Sequence, residues 1–283
     1  MVLGNLTIDD VVLPDGKTIM GSLGGNSIHV ATGIFVNGVT PIIIARKGDD
    51  FPDIALKKLE AFGITTDFMV PISGPTVRNW VIYEWDGSRT WLYRTDKSRS
   101  LEVSPEPSDI SEEYLKEVKI AHIGAMPLSN AERLVKRLRE MSPDLPISLD
   151  THEDWIDGYE ERLISVAKKV NYFIPSKEEL LVLMKTEKLE VAMDKICNVG
   201  LNNIIVKAGA DGAYLLESDG KKHVPAMASE VKDTTGAGDA FCGGFIAGVS
   251  LNLSLYESVV KGCETAGKAI RSSGSLRLLE KTN

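Results

Sequence analysis

"KIAHIGAMPLSNAERLVKRLREMSPDLPISLD", residues 119–150, holds one full period of the pattern that decides the fold. A short apolar run, KIAHIGA, gives way over 129–141 to apolar residues at helical spacing with charges between them, and PISLD at 146–150 returns to a compact apolar run. The spacing predicts strand, helix, strand. The period continues downstream. A helix over 157–168 leads to VNYFI (170–174), helices over 177–185 and 190–199 lead to NIIVKAG (203–209), and GAYLLES with GKKHVPA reads as a hairpin. Strands that alternate with helices pair in parallel through right-handed crossovers, so a sheet covered on both faces is expected.

Upstream the same grammar holds in part. Val2–Leu6 reads as a strand. Ile28, Val30, Ala31, Ile34 and Phe35 recur at helical spacing within 26–36, VTPIIIA (39–45) is a β-branched strand, and a helix follows at about 51–62. Two segments do not fit, about 7–22 and about 67–98. The second contains FMVPISGPTVRNWVIYEWDGSRTWLYR (68–94), where β-branched and aromatic residues cluster around DGSR, a hairpin turn signal. A small second sheet built from both segments and projecting from one large α/β domain spanning 1–283 is the expected organisation.

Composition narrows the function classes. With 43% apolar and 25% charged residues among 283, the chain is globular. A net charge of -8 argues against nucleic acid or anionic membrane surfaces as partners. MVLGNLTIDD lacks the pattern of a secretory leader, and no apolar run approaches the roughly 20 residues of a membrane span; a cytoplasmic protein is expected. Cys197, Cys242 and Cys263 show no C-x-x-C spacing and read as buried thiols.

The chemistry concentrates in KDTTGAGDAFCGGF, 232–245. Gly236, Ala237 and Gly238 leave backbone amides uncovered at the entry to an apolar helix, where free N–H groups and the positive dipole end favour an anion such as phosphate. Asp239, in the first turn, has no reason to bind phosphate but is placed to take a proton from a hydroxyl attacking phosphorus. The competing reading is a glycine-tolerant packing helix with Asp239 complementing the dipole.

DTTGAGDAFCGGFIAG closely resembles the C-terminal signature of the PfkB/ribokinase family of carbohydrate kinases, and further segments match in order over nearly the whole chain. GNLTIDD (4–10) resembles the family's first strand with its substrate-binding Asp, GGNSIHVA (24–31) its Gly-Gly substrate loop, and KGDD (47–50) its Gly-Asp element. PSKEE (175–179) resembles its magnesium-organising motif, and VKAGADGAYL (206–215) its nucleotide-binding strand and turn. The resemblance implies a ribokinase-like fold, a Rossmann-like, mostly parallel sheet flanked by helices with a small β lid, and transfer of the ATP γ-phosphoryl group to an alcohol. It implies Asp239 as base, Gly236, Ala237 and Gly238 as anion hole, and Asp9, Gly24 and Gly25 at the substrate. Lys207, Gly209, Gly212 and Ser176 fall near the nucleotide, with Glu179 organising Mg2+ through water. It also raises a monovalent cation near SSGSLRLL (272–279) and a homodimer through the lid.

Several positions depart from the family pattern. His29 stands where the loop usually has a sugar-binding Asn, as a replacement ligand or a packed core histidine. Ser176 replaces an Asn, and Lys207 a Thr. Arg78, Arg89 and Arg94 in the lid read first as exposed charges. GCETAGKA (262–269) nearly spells a P-loop, but Ala269 replaces its Ser or Thr and the flanking sequence is helical. The contracted first lid segment and the missing Asn look most like the inositol-kinase-like branch, making a cyclitol such as myo-inositol the leading acceptor. Ribose, fructose and nucleosides stay open, as does a non-catalytic sugar-binding protein on the same scaffold.

Overall fold

The computed structural model describes residues 1–85, 89–96, 98–201, 203–217, 220–227, 230–271, 274 and 276–280. In chain order its strands are β1 (Val2–Leu3), β2 (Thr7–Val12), β3 (Thr18–Gly24), β4 (Ile43–Lys47), β5 (Met69–Pro71), β6 (Val77–Tyr83), β7 (Arg89–Tyr93), β8 (Ala121–Ile123), β9 (Ile147–Leu149), β10 (Tyr172–Phe173), β11 (Ile204–Lys207), β12 (Ala213–Glu217) and β13 (Gly220–Val224). The helices are α1 (Asn26–Phe35), α2 (Asp53–Ala61), α3 (Arg99–Val103), α4 (Glu112–Leu115), α5 (Leu128–Met141), α6 (Glu160–Ala167), α7 (Lys177–Met184), α8 (Leu189–Asn198), α9 (Ala237–Ser250), α10 (Leu255–Ala269) and α11 (Arg277–Glu280).

Nine strands form one sheet in the order β13-β12-β11-β10-β9-β8-β1-β4-β5. Every pairing from β5 to β11 is parallel, and the β11–β12 and β12–β13 pairings are antiparallel. Helices cover both faces, which is why the strands are near-continuous apolar runs. Leu134, Leu138, Leu163, Leu180 and Ile196 of α5 to α8 pack on one face, and Val30, Ile34, Phe245, Ile246 and Val259 of α1, α9 and α10 on the other. The glycines of α9 explain themselves here. A Cβ on Gly243 would overlap the Val30 carbonyl and Gly33 of α1, and one on Gly244 would overlap Thr265 of α10, so α9 is shaved to lie close against both neighbours.

A second sheet has the order β3-β2-β6-β7, with β2 and β6 parallel and the other pairs antiparallel. The turn expected at DGSR lies, except for Arg89, outside the described residues, as do the side chain of Arg89 and all three serines of SSGSLRLL.

The structure corrects the sequence reading in several places. The expected opening strand Val2–Leu6 is shorter: β1 spans Val2–Leu3 in the large sheet, and Asp9 sits on β2 in the second. β5, grouped above with the lid segment, pairs with β4 at the edge of the large sheet because its short apolar run continues that layer. Helices α3 and α4 fill a stretch that carried no periodic signal. Cys197 is exposed, whereas Cys242 and Cys263 are buried as expected. GCETAGKA lies inside α10, so the P-loop likeness has no loop to act through. No helix among the described residues is long and apolar enough to cross a membrane.

Candidate active site

A cleft of about 1380 Å³ runs between the carboxyl ends of the parallel strands and the inner face of the second sheet. Open α/β sheets place their ligands at such strand ends. Asp9, Gly25, His29, Ser176, Glu179, Lys207, Gly209, Gly212 and the turn Gly236 to Asp239 all line it. Gly24 is the one expected site residue that lines no part of it. Its place is directly beneath Asp9, where a Cβ would overlap the carboxylate.

At the centre of the cleft lies the glycine turn. Gly236 caps α9 with φ +67°, a left-handed conformation that glycine adopts without strain, and a side chain there would collide with the His29 ring. His29 is therefore buried as a wall behind the turn as well as a lining residue. The Ala237 N–H donates to the Thr234 carbonyl at 3.1 Å, and no side chain caps the helix, so its mouth presents amides and the positive dipole end to the cleft. Asp239 stands half-buried in the first turn of α9 beside that mouth.

Below the turn, the strand ends carry a charged cluster. Lys207, the last residue of β11, places its ammonium 2.7 Å from both oxygens of Asp150, just past the end of β9. The same ammonium lies under Gly238, about 3.7 Å from where a Cβ would be. Burial by itself would lower the Lys207 pKa. Nearby acidic groups, Asp150 first, outweigh it and hold the ammonium protonated above the ordinary lysine range. Glu179 forms a reciprocal cap at the start of α7: its Oε2 accepts from the Ser176 N–H at 2.7 Å and its own N–H donates to Ser176 Oγ at 3.1 Å. Burial pushes the Glu179 carboxyl up to about 7, with Lys207 opposing and Asp150 adding to the rise. The Cys242 thiol donates to Asp150 Oδ2 at 3.6 Å, and burial, then Asp150, push its pKa upward.

Toward β12 the turn carrying Gly209 (φ +58°) and Gly212 (φ +91°) folds back. Gly212 has no space for a side chain against the Val224 carbonyl. Ala226, Met227, Ala266, Gly267 and Ile270 extend the cleft here as an apolar slot.

The opposite end is polar. Asp9 is only 6% exposed and lies in register with Asn79 of β6, whose Nδ2 donates to Asp9 Oδ1 at 3.0 Å. Burial lifts the Asp9 carboxyl to about 6, against the lowering hydrogen bonds of Asn79 and Thr7. On β7, Trp91 and Tyr93 alternate onto the cleft face of the second sheet, opposite Val81 and Asn79.

Sequence reasoning missed Asp150 and Asn79. A carboxylate directly after the strand PISLD was a usable signal, since that is where a parallel sheet presents its ligating residues. Asn79 carried none, because strand register across 70 residues is not written locally. Arg94, read as an exposed charge, is exposed, and it also pairs with buried Asp10 and lies over the Trp80 ring, 4.8 Å from its centroid.

Among the described residues no three or more His, Cys, Asp or Glu side chains gather into a metal cluster. Mg2+ of the kind held chiefly by phosphates and water would need few protein ligands, and Glu179 is a carboxylate that could hold it, since Asp150 is taken by Lys207.

The description pfkB family carbohydrate kinase matches residues 4–282, so the chain belongs to that family of ATP-dependent kinases. It is 26% identical over 276 residues to a cytidine kinase of Thermococcus kodakarensis, spanning 97% of this chain and 96% of that one. An E. coli ribokinase-like protein solved with ATP and Mg2+ shares the fold at TM-score 0.81 and 22% identity, over 99% of this chain and 96% of the other. A Burkholderia thailandensis nucleoside kinase solved with inosine does so at TM-score 0.80 and 15% identity, over 97% and 92%.

Proposed function

We propose that this kinase transfers the γ-phosphoryl group of ATP to a hydroxyl of a small polyhydroxylated acceptor, with Asp239 as the base. The observation that carries the reading is the convergence in one cleft of an acid beside an uncapped helix mouth, a fixed ammonium beneath it, and a buried carboxylate at the far end. In this reading the α9 mouth and Lys207 face the phosphate chain, the Gly209–Gly212 turn and the apolar slot hold the nucleoside part of ATP, and Asp9 with Asn79 grips acceptor hydroxyls. Asp239 accepts the proton of the attacking hydroxyl. Mg2+, when bound with the nucleotide, neutralises charge on the phosphoryl oxygens. The second sheet acts as a lid whose approach excludes water.

A cyclitol such as myo-inositol suits the polar end, where Asp9, Asn79, Asn5, Asn26 and His29 offer donors and acceptors around a small ring. A second reading, a nucleoside acceptor, is favoured by Trp91 and Tyr93, aromatic faces turned into the cleft that a planar base would cover. Exposed Ile19, Met20 and Leu92 on the lid support a lid-to-lid homodimer within the same account.

ADP formation measured across cyclitols, pentoses, hexoses and nucleosides tests the reading. Wild type is expected to turn over with one class and Asp239→Asn with none; binding without turnover would favour a non-catalytic sugar-binding protein. An Asp239→Asn variant as fast as wild type would overturn the assignment of the base.

A further inference from the structure

The family resemblance raises a monovalent cation near SSGSLRLL (272–279), and the described residues where that segment meets the glycine turn can be tested for it. α11 brings Arg277 back against the turn, where it is 3% exposed. Its Nη1 donates to Asp233 Oδ2 at 3.1 Å and its Nη2 donates to the Thr235 carbonyl. The other oxygen of Asp233 accepts from the Thr235 N–H at 2.8 Å and from the Tyr83 hydroxyl of β6 at 2.7 Å. Burial would raise the Asp233 pKa, but Tyr83, the Thr235 amide and Arg277 together hold it below the usual carboxylate range. Thr235 immediately precedes Gly236, so these contacts fix the strand of backbone that becomes the helix mouth.

A carboxylate and a carbonyl oxygen are the donors a small hard cation would need, and here the guanidinium engages both. Its charge already balances Asp233. A second unit charge beside the guanidinium would be repelled by it, with no unbalanced carboxylate among the described residues there to offset the repulsion. The described residues of the corner therefore do not fit an added monovalent ion.

We infer that Arg277 is the resident cation of the glycine turn, a positioning residue that holds Asp233 and Thr235 in place of a monovalent ion, so that turnover is independent of K+ and Na+. The same network ties the turn to the lid through Tyr83.

The inference rests on the kinase reading, and its test separates the two. Wild-type turnover and the melting temperature of the ADP-bound protein are measured in KCl and in choline chloride at equal ionic strength, which keeps screening constant. The expected result is a change in turnover of less than about twofold and no shift in melting temperature, since an ion that does not bind the folded state cannot stabilise it. Arg277→Gln is expected to lower both turnover and melting temperature, with guanidinium at low concentration restoring part of each and Arg277→Lys falling between. Strong activation of wild type by K+, or a melting temperature raised by K+ over choline, would overturn the inference; so would a folded Arg277→Gln variant indistinguishable from wild type. The wild-type melting comparison needs neither a variant nor turnover. A protein inactive on every acceptor would defeat the proposed function and leave this inference still decided by its melting temperatures.

Discussion

The two sides of the cleft are built differently. The phosphate side rests on the nine-stranded sheet, with α9 pressed between α1 and α10 on glycine contacts and the Asp150–Lys207 pair buried at the strand ends. The proposed acceptor side is a four-stranded sheet, with Trp91 (42% exposed) on its cleft face and Leu92 (48%) on the other. Groups that handle a common phosphate chain are held by close packing, where any change of volume is felt. The groups proposed to meet the acceptor range from buried Asp9 and Asn79 to half-open Trp91. In this reading phosphate handling and acceptor contact fall to separate sheets.

The largest expected effect breaks the rigid side. Asp150→Ala leaves the Lys207 ammonium buried without its counter-charge and should cost about 3–5 kcal/mol of unfolding free energy in a urea titration. Asp150→Ala combined with Lys207→Met should recover much of that loss. If the single variant unfolds like wild type, the pair is not the buried anchor described here.

Asp9→Asn probes the polar end and separates stability from function. The folded-state pKa of Asp9, about 6, lies above its unfolded value of 3.8, so between those values the folded protein binds more protons than the unfolded chain. Stability conferred by this group is present at low pH and declines as pH rises from about 4 through 6. Removing the ionisation should therefore make the variant more stable than wild type at pH 7.5, by about 1–3 kcal/mol, with the gain vanishing near pH 4. The acceptor KM should rise by roughly one to two orders of magnitude while the ATP KM stays near wild type. Equal losses for both substrates would place Asp9 outside the acceptor site.

A smaller effect is expected in the α1–α9 interface. Gly243→Ala forces a methyl against the Val30 carbonyl and should destabilise the fold by about 1–3 kcal/mol, read from the same urea titration. On the proposed acceptor side, Trp91→Ala should leave the melting temperature unchanged. If the acceptor is a nucleoside, its KM should rise by about tenfold; a cyclitol acceptor should be unaffected. The pair of outcomes chooses between the two acceptor readings.

Much of the large sheet was legible because strand and helix periodicities are local, and KIAHIGA, PISLD and VNYFI each carry theirs. The glycine turn was legible for the same reason: its chemistry is contained in six consecutive residues. What escaped depends on contacts between distant parts of the chain. Lys207 read as a residue near the nucleotide, and its partner Asp150 lies 57 residues away, just past the end of β9. Arg277, inside SSGSLRLL, drew no reading of its own, and its role depends on α11 folding it against Asp233. His29 read as either ligand or core histidine, and its position behind Gly236 makes it both a packed wall and a lining group. The β5 run was misassigned because its short apolar texture is equally suited to either sheet.

The most direct test of the central claim is a crystal structure of the ternary complex with a non-hydrolysable ATP analogue and the best acceptor. The account predicts an acceptor hydroxyl within hydrogen-bonding reach of the Asp239 carboxylate, about 3 Å, and facing the terminal phosphorus, with the ring's other hydroxyls on Asp9 and Asn79. An acceptor bound with no hydroxyl near Asp239, or a phosphate chain lying away from the α9 mouth, would contradict it.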